Sequence, residues 1–201
     1  MPKIIVDNRI VEDDWVLVQY PAKNEPVRKQ AGKPVLFKIT GESAATTEEI
    51  AALAIPPGRV IVPLSAWLAR KGELEPRLRD GSLAVWLDSF ESPEALVASI
   101  DDINRFPIIA INFPRFVDGR GYSFATLLRT RYGYRGQIRA IGDVLHDQLF
   151  YMKRCGFNAY AVRADRNIED ALRGFKDFSE PYQAHVDQAL PLYRRHARQS
   201  A

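Results

Sequence analysis

Residues Pro107–Asp143 read PIIAINFPRFVDGRGYSFATLLRTRYGYRGQIRAIGD. Two apolar runs, PIIAINF and QIRAIG, bracket a loop rich in glycine and arginine and a helical pattern at SFATLLRTR. A strand, a crossover helix and a second strand need about thirty residues or more, so this stretch is long enough for one βαβ unit. The runs are nearly continuous rather than alternating, as expected for parallel strands covered on both faces.

Outward from this unit the same rhythm repeats. Apolar runs fall near residues 60–64, 83–87, 107–113, 137–141 and 158–163. Helical patterns separate them. TTEEIAALA carries a capping box, Thr46 with Glu49. In AWLARKG, Ser65 is the expected cap and Gly72 the expected stop. SPEALVASIDDIN has Ser92 as N-cap and Pro93 at the first helical position. VLHDQLFYMKRCG and NIEDALRGFKDF complete the series. The fold class is therefore α/β: successive βα units in a mainly parallel sheet, either open and doubly wound or a partial barrel. Before it, KIIVDNRIV (with a turn signal at Asp7-Asn8), WVLVQY and VLFKIT form a β-rich N-terminal segment. The expected division is 1–45 for that segment, 46–180 for the βα repeats and 181–201 for a helical tail interrupted at Pro191.

Composition narrows the function classes. Of 201 residues 46% are apolar, enough for a core, and the net charge of +3 permits an acidic partner or small anion without demanding nucleic acid. The single cysteine, Cys155, excludes an intrachain disulfide, CxxC redox chemistry and an iron–sulfur cluster held by this chain alone. It reads as a packing residue. MPKIIVDNRI lacks the basic and apolar regions of a signal peptide, and no apolar run is long enough to span a bilayer, so a cytoplasmic protein without membrane contact is expected. No nucleotide loop is visible and no cofactor is expected.

Function in parallel α/β folds gathers at the carboxyl ends of strands. Those ends carry Asp88, Asn112, Arg115, Asp143, Arg163 and Asp165. The loop leaving PIIAINF is the first candidate, an anion or substrate site of Arg115, Gly119, Arg120, Gly121, Tyr122 and Ser123. Glycines allow a tight turn, a helix start at Tyr122-Ser123 adds partial positive charge, and arginine forks onto oxyanions. The bland alternative is a glycine turn whose arginines pair with strand-end aspartates. Asp143 and His146 in GDVLHDQ are the second candidate, a carboxylate and an imidazole for proton transfer, against a reading of Asp143 as a helix cap. One histidine without a thiol partner is too little for a metal, so none is expected. Arg129, Arg131 and Arg135 read as a solvated face. Rings interleave with arginine between 113 and 135, yet no RNP or KH pattern occurs and a parallel fold would bury the rings, so nucleic acid is not the expected partner.

The blocks DGRGYSFATLLR and GDVLHDQL, within NFPRFVDGRGYSFATLLRTRYGYRGQIRAIGDVLHDQLFYMKRCGFNAYAV, resemble an uncharacterised bacterial family, a domain of unknown function. The resemblance runs from PLSAWL onward, roughly the C-terminal two-thirds. Members are often labelled probable oxidoreductases involved in sulfite reduction, and their genes tend to lie beside those for assimilatory sulfite reductase. The resemblance thus implies a place in sulfur assimilation and a reductase as partner, and supplies no catalytic residues. Joined to the residues, it gives an accessory protein of sulfite reduction with an anion- or partner-binding loop. The alternative is a small βα enzyme acting on an anionic metabolite.

Overall fold

Five expected strands form and lie side by side in a computed structural model, which describes residues 1–20, strands at 28–30 and 33–35, and residues 45–195. They are β6 (Val60–Pro63), β7 (Leu83–Leu87), β8 (Ile108–Phe113), β9 (Gln137–Gly142) and β10 (Ala159–Tyr160), each parallel to the next. Before them come β1 (Lys3–Val6), β2 (Arg9–Glu12), β3 (Val16–Leu17), β4 (Arg28–Gln30) and β5 (Lys33–Val35). The reading of VLFKIT as a strand falls mostly outside the described residues. Asp7 and Asn8 both take positive φ, 47° and 61°, and turn β1 into an antiparallel hairpin with β2.

The main sheet runs β2-β1-β10-β9-β8-β7-β6-β3, while β4 and β5 pair separately. From β6 to β10, neighbours in space are neighbours in sequence. Right-handed crossovers repeated in one direction put their helices on one face, which curves the sheet into a half-barrel. The doubly wound alternative fails here, because it needs a reversal of strand order. Strands β1, β2 and β3 of the N-terminal segment join the main sheet. The hairpin adds antiparallel to β10 at one edge, and β3 adds parallel to β6 at the other.

The helices are α1 (Thr47–Ala52), α2 (Leu64–Ala69), α3 (Lys71–Arg79), α4 (Pro93–Ala98), α5 (Arg120–Thr130), α6 (Leu149–Cys155), α7 (Ile168–Arg173) and α8 (Leu192–Arg195). Thr46 and Glu49 make the expected capping box, with Glu49 N donating to Thr46 Oγ1 at 3.2 Å and Thr46 N to Glu49 Oε2 at 2.7 Å. Ser65 does not cap α2, because that helix starts directly after β6 with Pro63 at its N-cap. Gly72 does not stop a helix either; α3 begins at Lys71. Gly156 ends α6 with φ +107°, a left-handed cap that only glycine takes without strain. The tail is helical only at α8 among its described residues; His185 and Gln188 form an isolated bridge.

Two apolar layers sandwich the sheet. On the helix side Val62, Val85, Ile109, Ile111 and Phe113 pack against Trp67, Leu96, Leu128 and Met152. Trp67 is fully buried, edge-on to Phe106 at 5.2 Å, and its indole N–H donates to Ser99 Oγ at 2.8 Å. A side chain buried like this contributes about 2 kcal/mol or more. On the opposite face Ile61, Ala84, Trp86, Ala110 and Ile141 meet Trp15 and Leu17. Burial on both faces explains the unbroken apolar runs. That second face also takes Arg139, whose guanidinium lies 2.9 Å from Asp13 with only 4% of its side chain exposed.

Candidate functional site at the carboxyl rim

Parallel register brings the loops after β6, β7, β8, β9 and β10 to one edge. Asp88 and Asn112 meet there, with Asn112 Nδ2 donating to Asp88 Oδ1 at 3.1 Å. Asp143 and Arg163 also meet. Asp143 Oδ1 accepts from Arg163, its Oδ2 accepts from Phe116 N at 2.8 Å, and Asp165 holds the other edge of the same guanidinium. Arg115, half-buried, opens the turn in which its carbonyl accepts Asp118 N at 3.0 Å.

Arg120 sits at the centre of this rim. Its Nε donates to Asp118 Oδ1 at 3.0 Å and its Nη2 to Asp118 Oδ2 at 2.6 Å, a two-point fork, and Nη2 also reaches Ser89 Oγ at 2.8 Å. Asp118 is buried, with 4% of its side chain exposed, while 44% of the Arg120 side chain stays open. The Arg120 bonds hold the Asp118 carboxyl below the usual carboxylate range. Asp118 thus fixes the guanidinium in place and leaves part of it to solvent. Phe90, Phe116 and Val117, in the loops that carry Ser89 and Asp118, are 42%, 43% and 80% exposed.

The glycines work differently from the sequence expectation. Neither Gly119, with φ −90°, nor Gly121 takes a positive φ, and α5 starts at Arg120 rather than at Tyr122-Ser123. Gly121 is required by space: a Cβ there would stand 2.7 Å from Phe113 Cζ and 3.0 Å from Ile111 Cγ2. It lets the first turn of α5 lie directly on β8. Tyr122 packs between Phe113 and Tyr151, with ring centroids 5.2 and 5.0 Å away, and burial pushes its phenol up to about 12. Ser123 is exposed on α5.

The second candidate pair is not brought together. His146 turns toward α7, its Nδ1 2.9 Å from the Asp170 carbonyl and its Nε2 3.4 Å from Asp177. Arg129 is not a solvated side chain: it reaches the carbonyls of Gly156, Tyr134 and Gly136 at 3.0, 2.7 and 2.8 Å. Arg131 and Arg135 are exposed as expected. Cys155 is buried, 3.8 Å from His185 Nε2, and burial pushes its thiol up to about 11.

Sequence reasoning missed Glu91 and Tyr20. Glu91 Oε2 accepts Asp88 N at 2.7 Å, and the Ser65 backbone amide also bonds to this carboxyl. Ser65 Oγ lies 2.8 Å from the Tyr20 hydroxyl. Burial, aided by the Asp88 charge and opposed by the amide bonds, pushes the Glu91 carboxyl up to about 7. The spacing Asp88-x-x-Glu91 was the available signal, a carboxylate one turn past a strand end. Among the described residues no three His, Cys, Asp or Glu side chains gather as a metal site requires, and no helix is long and apolar enough to cross a membrane.

No curated protein and no solved structure matches this chain. One family model does, over residues 84–193. The matched region takes in the ends of β7, β8, β9 and β10, with Glu91 and the Arg120 fork, and leaves Tyr20 and Ser65 outside it. A match over more than half the chain settles membership: the protein belongs to the DUF934 family, bacterial proteins of unknown function.

Proposed function

We propose that this protein is an accessory of assimilatory sulfite reduction and that its working surface is the carboxyl rim of the half-barrel. The rim receives an anionic group through Arg120, with Arg115 beside it. The pathway comes from the family label and gene neighbourhood that the motifs resemble. The observation that carries the surface is the Arg120 guanidinium, clamped by buried Asp118 yet 44% exposed. An arginine held in one geometry loses little freedom on meeting a carboxylate or oxyanion. The open apolar side chains of Phe90, Phe116 and Val117 around it favour a protein partner, and the reductase is the partner proposed. Arg120, Arg163 and Arg166 each already face a carboxylate, so the surface is patterned rather than broadly positive.

The test is co-purification with the sulfite reductase of the same organism, using the wild type, Arg120→Ala and Val117→Asp. Both variants are expected to lose the partner while remaining folded. Retention by both would overturn the docking surface. In this role the purified protein carries no flavin, and a stoichiometric flavin spectrum would replace the accessory reading with an oxidoreductase.

A further inference from the structure

The turn from Asp88 to Glu91 has the Arg120 fork on one side and a hydroxyl pair on the other. Ser89 Oγ touches Arg120 Nη2 at 2.8 Å, while Glu91 bonds to the Asp88 and Ser65 amides. Tyr20 and Ser65 close the second side, their hydroxyl oxygens 2.8 Å apart. These groups come from separate stretches of chain and converge at the carboxyl ends of β6, β7 and β8. Glu91 is half-buried, where a carboxylate gains from a cation beside it. Glu91 instead bonds to amides, and the charge acting on it is that of Asp88, which repels it. Arg70 and Glu49 act on Tyr20 from the α2 and α1 side, and Arg120 acts on Asp88.

We propose that this rim is a proton-coupled oxyanion site, in which Arg120 receives the anion and Glu91 takes up one proton as the anion arrives. The proposal rests on the reading of Arg120 given above. The ligand class is a small tetrahedral or planar oxyanion: Asp118 and Ser89 occupy Nε and Nη2, and the two N–H groups of Nη1 are the donors turned to the anion's oxygens. An anion on Arg120 adds negative charge to a rim that already holds Asp118 on the guanidinium and, across Ser89, the mutually repelling Asp88 and Glu91. Protonating Glu91 removes that cost. The proton moves from solvent to a Glu91 carboxyl oxygen, and no bond within the anion changes. Burial has already raised this carboxyl to about 7, so the exchange falls at neutral pH. The sign follows: affinity is highest below that value and falls as pH rises through it.

The probe is sulfate, which carries no titrating proton between pH 5.5 and 8.5, added to the full chain. Calorimetry at pH 7.5 in two buffers of different ionisation enthalpy should show net proton uptake, and affinity should fall roughly tenfold from pH 6 to 8. Glu91→Gln should keep binding and lose both effects. Flat affinity without uptake in the wild type, or a pH dependence that survives in Glu91→Gln, overturns the proposal. Carbon-13 titration of the Glu91 carboxyl without sulfate separates the two readings. A midpoint near 7 with no sulfate binding sinks the Arg120 reading and the site with it. A midpoint in the ordinary carboxylate range sinks the role of Glu91, whatever Arg120 binds. Arg120→Ala should abolish sulfate binding and leave the Glu91 midpoint in place.

Discussion

Arg120 and Arg129 stand near opposite ends of α5 and are held in opposite ways. Arg120, at the first turn, forks onto one buried carboxylate and keeps 44% of its side chain open. Arg129, in the last turn, donates to uncharged acceptors. It ties together three backbone carbonyls and Asn158 Oδ1, and burial lowers its pKa. A guanidinium can therefore be buried against carbonyls alone when enough of them converge, because its donors need acceptors rather than a counter-charge. The comparison teaches that an arginine next to a carboxylate at the rim is the available one, and the arginine without an acid is the staple.

Five substitutions would break or sharpen that contrast. Arg129→Ala should cost the most, about 3 kcal/mol, because it strands several acceptors at the junction of α5, β9 and the turn after α6. A urea-unfolding shift below about 1 kcal/mol would remove the distinction altogether. Arg129→Lys should recover less than half, since one ammonium cannot span the same acceptors. Gly121→Ala comes next, at about 1–2 kcal/mol: overpacking against Phe113 is partly offset by alanine's helix propensity. A neutral result would mean that α5 lifts from β8 freely, and Arg120 would then be less firmly positioned than its fork suggests.

Arg120→Ala should cost about 1 kcal/mol, more than an open surface arginine and less than Arg129, because the pair is screened on one side only. The pH dependence has a definite sign. Asp118 has a depressed pKa in the fold, so the stability it contributes is present above the unfolded carboxylate pKa and lost as pH falls through the folded value. The gap between wild type and Arg120→Ala should therefore close in acid. A gap independent of pH would show that the loss is packing, not charge. Smallest is Arg131→Ala, expected within about 0.5 kcal/mol, since Arg131 is exposed and lies over the Tyr132 ring at 5.6 Å. Thermal melts of all five in one buffer give the ranking directly.

The strands were legible because a parallel strand buried on both faces must be apolar at nearly every position, and Ile108–Phe113 meets that condition locally. The half-barrel was not, since strand order is decided by which neighbours pack, and either winding gives the same βα alternation. Arg129 left a trace that could have been followed: it is four residues beyond buried Ala125, on the edge of the stripe formed by Gly121, Ala125 and Leu128. Glu91 left less. Between exposed Phe90 and exposed Ser92 it reads as a solvated acid, and the Ser65 amide and Tyr20 with which it interacts are distant in sequence. The rim aspartates were located correctly as strand ends, but whether each serves as cap, clamp or partner depends on loops whose pairing no local pattern encodes.

The two outer edges of the sheet are both occupied by the stretch from Lys3 to Leu17, with β1 paired at Ile5 to Tyr160 and β3 paired at Val16 to Val60. This has a consequence for how the molecule is made. Synthesis delivers these strands first, yet the β1 hairpin finds its seat only after residue 160 has left the ribosome. The contacts that finish the sheet span nearly the whole chain, and such closures are slow because loop entropy is lost before they form. Through most of translation, the growing half-barrel therefore has a bare, hydrogen-bond-ready flank, and the early strands are the waiting plug that ends that exposure.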